Sequence, residues 1–325
     1  MRAAALGLLR CPVCSGTLAL TARELADDGH ALEGTLSCAS CTTAYPLTRG
    51  VPRLIPDAVL ASATETAARF GKQWRRFDHV EPYHEEWFRR WIAPLGPDDF
   101  RGRVVLEGGC GKGRHTLAVS SWGAAAVVAL DLGDSVDVTF AHTRGRENVH
   151  VVQGDLAAPP VARVFDVAFS VGVLHHLPDP RGGFDALCRQ LRPGGRVAIW
   201  VYGRESNEWI VRFVDPLRTR VTSRLPAELL YWLTLPPSAA LYGACQLTRA
   251  PGLGARLPYR EYLTQLASVP RREVHNIVYD QLVPPLAVYL AEAEVRAWFD
   301  RPGLAEVQVA SHNGNSWRAC AVVTG

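Results

Sequence analysis

Three groups of residues in this 325-residue chain have the types and spacing to do chemistry. Cys11-Pro-Val-Cys14 and Cys38-Ala-Ser-Cys41 are two Cys-x-x-Cys knuckles at the separation of a tetrahedral zinc ribbon. A thioredoxin-like redox pair needs one such motif in a β-α-β setting, not two matched knuckles. Farther on, the apolar run Val104 to Leu106 enters Glu107-x-Gly109-x-Gly111-x-Gly113, where alternate glycines let the backbone turn sharply and approach a ligand. A dinucleotide loop is spaced Gly-x-Gly-x-x-Gly/Ala and faces phosphate. Here the third glycine comes one residue early, and Glu107 would repel phosphate and attract a cation. S-adenosylmethionine (SAM), with a sulfonium, an α-ammonium group and no phosphate, suits such a loop. The third group is His175-His176, after the apolar stretch Phe165 to Val171.

The elements that must position these groups follow in order. After Gly113 a helical stretch leads to Ala124–Leu130 and then Asp131, which makes a β-α-β unit. An acid at a strand end about 20 residues past the glycine loop is placed to accept hydrogen bonds from a ribose diol. Val149–Gln153 predicts a third strand before Gly154-Asp155-Leu156, which on its own is a turn signal. Phe165–Val171 predicts a fourth strand. Leu191-Arg-Pro-Gly-Gly195 then turns into a fifth at Arg196–Val201.

In this ordered set the chain resembles the class I SAM-dependent methyltransferases of the methyltransferase type 11-like group, strongly over 101–203 and moderately over 286–325. The resemblance implies an α/β, Rossmann-like seven-stranded class I methyltransferase sheet with one antiparallel strand, the last two strands forming a hairpin at Val307–Ala310 and Ser316–Val323. It implies cofactor contacts at Glu107, Gly109, Cys110, Gly111, Gly113, His115, Asp131, Leu132, Asp155, Leu156 and Ser170, with Asp155 near the adenine amino group. His175 and His176 lie where the methyl group should point and are the candidate bases, although relatives also use paired histidines for packing. Tyr279 to Pro285 and Asn313 to Trp317 look similar to segments of bacterial methyltransferases of this type, with no chemistry attached.

Composition suits an enzyme of ordinary globular character: 48% hydrophobic residues can bury a large core. The net charge is +3, and only Lys72 and Lys112 are lysines, an arginine skew that reads as coding bias. Cys110, Cys188, Cys245 and Cys320 are scattered and read as small core residues. The stretch from Tyr45 to Pro56 completes a likeness to the small zinc-ribbon partner proteins of tRNA, rRNA and protein methyltransferases. RNA is therefore a candidate substrate. The charge of residues 1–60 opposes it, since Arg2, Arg10, Arg23, Arg49 and Arg53 are balanced by Glu24, Asp27, Asp28, Glu33 and Asp57, and an RNA grip needs a basic excess. The ribbon is expected to be structural, or to dock a protein partner.

Thr64 to Ala93 carries Phe70, Trp74, Phe77, Trp87, Phe88 and Trp91 at helical spacing and predicts one or two amphipathic helices, with Tyr83 and His84 as candidate substrate residues. Residues 204–285 form an insertion with apolar runs broken by Pro226, Pro236, Pro237 and Pro251, expected as a substrate lid over the carboxyl edge of the sheet. Tyr202, Asn207 and Trp209 could line its pocket. Leu229–Leu247 approaches the length of a membrane span but is interrupted by Pro236-Pro237. The expected units are a zinc ribbon (1–60), a helical cofactor cover (61–100), a SAM-binding core (101–203), a helical lid (204–285) and a C-terminal helix and hairpin (286–325). With no leader visible, the cytoplasm is the default location. The expectation is a SAM-dependent methyltransferase with structural zinc, acting at O, N or C of a small or lipophilic acceptor. An RNA methyltransferase, and a non-catalytic SAM-binding or partner-activating protein, are the alternatives.

Overall fold

A computed structural model of the chain describes residues 1–56, 59, 64–249 and 259–324. Its ribbon is an antiparallel sheet of β1 (Leu18–Leu25), β2 (Ala31–Cys38), β3 (Ala44–Thr48) and β4 (Val51–Pro52), in that order. The four cysteine sulfurs lie within 4.8 Å of one another. Cys11 and Cys41 are 3.6 Å apart and Cys14 and Cys38 3.4 Å, far beyond the ~2.05 Å of a disulfide. They approach the edge of ~3.8 Å that Zn–S bonds of ~2.3 Å set for a tetrahedron. The donor set fits a structural zinc ion, and the Ser40 N–H donates to Cys38 Sγ.

The ribbon is seated on the rest of the chain. Leu54 N–H donates to Gln153 O at 2.8 Å, Arg10 N–H to Pro160 O and Ala162 N–H to Leu8 O. Leu9, Leu36, Tyr45, Leu47 and Leu54 join one buried apolar cluster with Leu130, Val152 and Leu156 of the main sheet.

Two helices follow, α1 (Thr64–Arg76) and α2 (Pro82–Ile92), then the short α3 (Pro97–Phe100). Pro82 starts α2 at a position where a missing N–H costs nothing, and the helix buries His84, Trp87, Phe88 and Ile92. The main sheet contains β5 (Val104–Gly108), β6 (Ala126–Asp131), β7 (Val149–Gln153), β8 (Phe165–Val171), β9 (Leu191–Tyr202), β10 (Leu304–His312) and β11 (Ser316–Val323). Their order is β10-β11-β9-β8-β5-β6-β7. β5 to β9 run parallel, and β11 lies antiparallel between β9 and β10. Parallel strands covered on both faces read as unbroken apolar runs, and every residue of β8 is buried. The crossovers place α4 (Arg114–Ser121), α5 (Val136–Thr143) and α6 (Pro180–Cys188), the last capped by Asp179, which accepts the Gly182 N–H. Between β5 and β8 the direction of winding reverses, so a crevice opens at the carboxyl ends of those strands.

The insertion over that crevice contains α7 (Asp215–Arg220), α8 (Ala227–Leu247), α9 (Arg260–Ala267) and α10 (Arg271–Leu282), and α11 (Glu292–Phe299) returns the chain to the sheet. One expectation is corrected here. Pro236 and Pro237 lie inside α8 and do not break it. Packing against α10 holds the helix, aided by His275 hydrogen bonded to Thr234 and Tyr231. Pro251 and the expected 60/61 boundary lie outside the described residues. Among the described residues no helix is long and apolar enough to cross a membrane.

Removing zinc should unfold the ribbon and, because the ribbon shares its apolar cluster with the sheet, lower the melting temperature of the whole chain. Metal analysis of denatured protein should find about one zinc per chain. Cys11→Ser should reduce that content and shift the melting curve in the same direction as a chelator does.

Candidate functional site

The glycine loop is held by short contacts from the elements around it. Gly109 N–H and Cys110 N–H both donate to Leu130 O, at 2.7 and 2.9 Å, which ties the turn to the end of β6. Gly109 has φ +84° and a Cβ there would lie 2.2 Å from Val173 Cγ2; Gly113 has φ +82° and would meet Thr139 at 2.9 Å. Both positions need glycine for conformation and for space. Asp131 stands at the end of β6, where Oδ2 accepts Gly111 N–H and Oδ1 accepts Gly133 N–H, each at 2.8 Å. Burial raises its carboxyl above the usual range.

Asp131, Leu132, Asp155, Leu156, Gly109, Cys110, Gly111 and His115 all border a cavity of about 1410 Å³. Asp155 also holds its own turn, accepting the Ala157 N–H at 2.8 Å. Ser170 and Glu107 do not border it. Ser170 Oγ donates to Gly108 O at 2.8 Å and so fastens β8 to β5. Glu107 is buried beneath the loop, with Oε2 accepting from Thr116 Oγ1 and Oε1 left without a hydrogen-bond partner. His115 Nε2 accepts from Arg114 Nε at 3.1 Å, so in the neutral ring the proton is on Nδ1, 3.5 Å from Glu107 Oε1. Burial pushes the Glu107 carboxyl up to about 8. The acids on the cavity wall beside the glycine turn, Asp131 and Asp155, fit the positive charges of SAM.

The same cavity continues to the ends of β8 and β9, where the two histidines part. His176 borders it; His175 is fully buried behind Tyr202, with ring centroids 3.8 Å apart. Tyr202 N–H donates to His175 Nδ1, which leaves the proton on Nε2. In His176, Nδ1 is 2.8 Å from Leu286 O and must be the donor, so Nε2 carries the lone pair. Burial lowers its pKa and keeps the ring neutral near pH 7.

Tyr202, Asn207 and Trp209 border the cavity. Asn207 also braces the loops, donating to Gly203 O and Asn315 O. Tyr83 and His84, by contrast, sit behind Glu273. Tyr83 Oη donates to Glu273 Oε2 at 3.4 Å, and His79 Nε2 lies 2.8 Å from the same oxygen. His79, His84 and Glu273 are close enough to suggest a metal set. The tautomer opposes it: His84 Nδ1 accepts the Glu81 N–H, so Nε2 bears a proton and faces Glu273 at 3.5 Å as a donor. Burial pushes the Glu273 carboxyl up, but the hydrogen bonds from His79 and His84 and the charge of Lys112 outweigh that and hold it well below the carboxylate range.

Sequence reasoning assigned no role to the α10 residues of the cavity wall, Glu273, Asn276, Asp280 and Gln281. A polar face at i, i+3 and i+7 was the available signal. Asp280 Oδ2 accepts from Tyr202 Oη and Oδ1 from Gln73 Nε2, both at 3.0 Å.

Comparison with known proteins agrees with this geometry. Residues 106–199 match a family model described as Methyltransferase domain, and residues 5–50 one described as Trm112p-like protein. The chain is 32% identical over 171 residues to a tRNA U34 carboxymethyltransferase of Pseudoalteromonas translucida, covering 51% of this chain and 48% of that protein. It is 31% identical over 134 residues to the protein of the same name in Psychrobacter cryohalolentis, covering 36% of each. It is 30% identical over 161 residues to a ubiquinone biosynthesis O-methyltransferase of Erwinia tasmaniensis, covering 45% of this chain and 65% of that protein. The tRNA U34 name recurs among other bacterial relatives. The chain thus spans about half the length of the first of these relatives.

These likenesses overturn the expectation of a small or lipophilic acceptor as substrate and partner. The ribbon's charge balance opposes RNA, but two of its arginines, Arg49 and Arg53, pair with Asp137 of α5 outside the ribbon.

The raised Glu107 carboxyl predicts a pH effect. The folded protein holds this proton more tightly than the unfolded chain, so stability is full below about 4.5 and is lost as the pH rises through about 8. The loss approaches ~1.4 kcal/mol per pH unit at most. Denaturant melts across that window should slope downward for the ligand-free protein and flatten in Glu107→Gln.

Proposed function

Proceeding from a methyltransferase domain joined in one chain to a Trm112p-like ribbon, we propose that this protein is a SAM-dependent methyltransferase acting on RNA, with tRNA the favoured class. The observation that carries the reading is that union, in the company of relatives named for tRNA. SAM supplies a methyl group already activated on a sulfonium, so the chain's own task is alignment and exclusion of water. The glycine loop and Asp131, Asp155 and Leu156 hold the donor. The ends of β8 and β9 face the group to be moved. SAM bound there would offer its methyl carbon to the acceptor's lone pair and would be left as a neutral thioether as the carbon–sulfur pair returned to sulfur. If the acceptor is an O–H or N–H, its proton passes to the free Nε2 of His176, which the Leu286 carbonyl keeps in the required tautomer.

The mouth of the cavity supports an RNA acceptor. Trp209, on the cavity wall, is 50% exposed, and Phe213, one turn on in the same segment, is 64% exposed, with Arg212 lying 5.5 Å over its ring. Exposed aromatic faces beside arginine suit a splayed single-stranded loop, whose bases stack on them. An RNA acceptor also places the work in the cytoplasm. The zinc ribbon supports the sheet from within the same chain.

Labelled methyl from SAM should enter bulk tRNA, and RNA binding should weaken steeply with salt. No incorporation into any RNA, or a flat salt response, would overturn the substrate class. His176→Asn should retain SAM binding while turnover falls roughly 10²–10⁴-fold if the acceptor must lose a proton. Trp209→Ala with Phe213→Ala should weaken RNA binding by about 1–3 kcal/mol per stacked base.

A further inference from the structure

The longest helix of the insertion turns large apolar side chains to the solvent and small polar ones to the protein. In α8, Leu229, Trp232, Leu233, Pro236, Ala240 and Leu247 are exposed, at steps of three, four and seven residues that make one stripe. The opposite stripe, Leu230, Thr234, Ser238 and Cys245, is buried where the helix packs on α9 and α10. Trp232 is 62% and Leu233 54% exposed, whereas Thr234 and Ser238 are each 1% exposed. Thr234 Oγ1 lies 2.8 Å from His275 Nε2, and Ser238 Oγ donates to Thr234 O. A helix covering a protein in water normally has the reverse pattern.

From 229 to 247 there is no Asp, Glu, Lys or Arg, so the stripe runs uncharged for ~27 Å. Ten of the fourteen large apolar side chains exposed among the described residues belong to the insertion. Apolar surface gathered in this way, and not scattered, marks an interaction site. Charge selects the partner. Arg220 and Arg224, just before α8, are exposed and have no acidic partner among the described residues. The nearby acids are taken, Glu228 by Arg76 at 2.8 Å and Asp215 by Arg218. An uncharged Trp and Leu stripe with free arginines at one end matches an anionic bilayer, which offers acyl chains to the first and phosphates to the second. A second copy of the chain would cover the stripe, but its own α8 stripe brings no acid to the arginines. RNA would meet the arginines but leave the stripe without a cation for its phosphates.

We propose that the outward face of α8, together with Arg220 and Arg224, is a docking surface for an anionic lipid bilayer. The helix lies in the plane of the interface, with Trp232 and Leu233 among the upper acyl chains and the two guanidinium groups at the headgroup phosphates. The bilayer is a partner here and not a source of the methyl acceptor. The inference concerns the outer surface of the insertion and stands apart from the SAM and RNA readings of the cavity, to whose wall the same helix contributes Pro237 and Leu241.

The test is co-sedimentation of the full chain with vesicles of equal parts phosphatidylcholine and phosphatidylglycerol, and with vesicles of phosphatidylcholine alone. Wild-type protein should bind the mixed vesicles, more weakly as salt is raised. Trp232→Ser with Leu233→Ser should weaken that binding roughly tenfold or more. Arg220→Gln with Arg224→Gln should weaken it about fivefold per arginine and leave binding to phosphatidylcholine vesicles unchanged. All four side chains are exposed, so the variants should keep the wild-type melting curve. A second measurement needs no change in affinity: brominated acyl chains should quench the tryptophan fluorescence of the wild type more than that of Trp232→Phe. No binding to the mixed vesicles, binding unchanged in the folded Trp232 and Leu233 double variant, or equal quenching with and without Trp232 overturns the proposal. A solution dimer that the double variant converts to monomer would give the face to a second copy, and a tRNA affinity that falls in that variant while vesicle binding holds would give it to RNA; either result also overturns the proposal.

Discussion

The structure depends on how closely other elements approach the glycine loop after β5. Val173, from the segment after β8, and Thr139, from α5, both occupy space that a side chain at Gly109 or Gly113 would need. Those contacts fix the turn relative to the neighbouring strand ends, and the two N–H groups donating to Leu130 O fix it relative to β6. A loop held this way cannot shift without moving β8 or α5. The glycine-loop end of the cavity is therefore held in one place, as a reaction that works by alignment requires.

Burial of polar groups controls the other end. His175 and His176 are adjacent in sequence and alike in composition, yet backbone partners impose opposite tautomers and only one ring borders the cavity. The Asp280 carboxylate and the buried Glu273 are held by donors drawn from α1, α2, α10 and β9. Such networks are costly when half satisfied and specific when complete. Here they join the helical cover and the insertion into one wall, so residues far apart in the chain present their chemistry to the same space.

Much of this was legible because local chemistry demands particular residue types. The glycine loop, the acid ending β6 and the apolar parallel strands are each read from a few neighbouring residues. The paired knuckles likewise declare a metal, since only a shared ion explains thiols so spaced without a partner motif. Local rules failed where tertiary contacts overruled them. Pro236 and Pro237 signal a break, but packing on α10 and side-chain hydrogen bonds carry α8 through them. The balanced charge of the ribbon looked like evidence about the substrate. Arg49 and Arg53 are in fact paired with Asp137, 88 and 84 positions away.

The amino-acid sequence by itself therefore determined the cofactor class, the order of the strands that hold it and the zinc ligands, because each rests on spacing within a short segment. Only the tertiary structure decided which histidine borders the cavity, that Tyr83 and His84 stand behind Glu273, and that Asp280 stands in the wall. Tautomer, burial and the direction of a hydrogen bond belong to pairs of residues brought together by folding, and no local pattern encodes them.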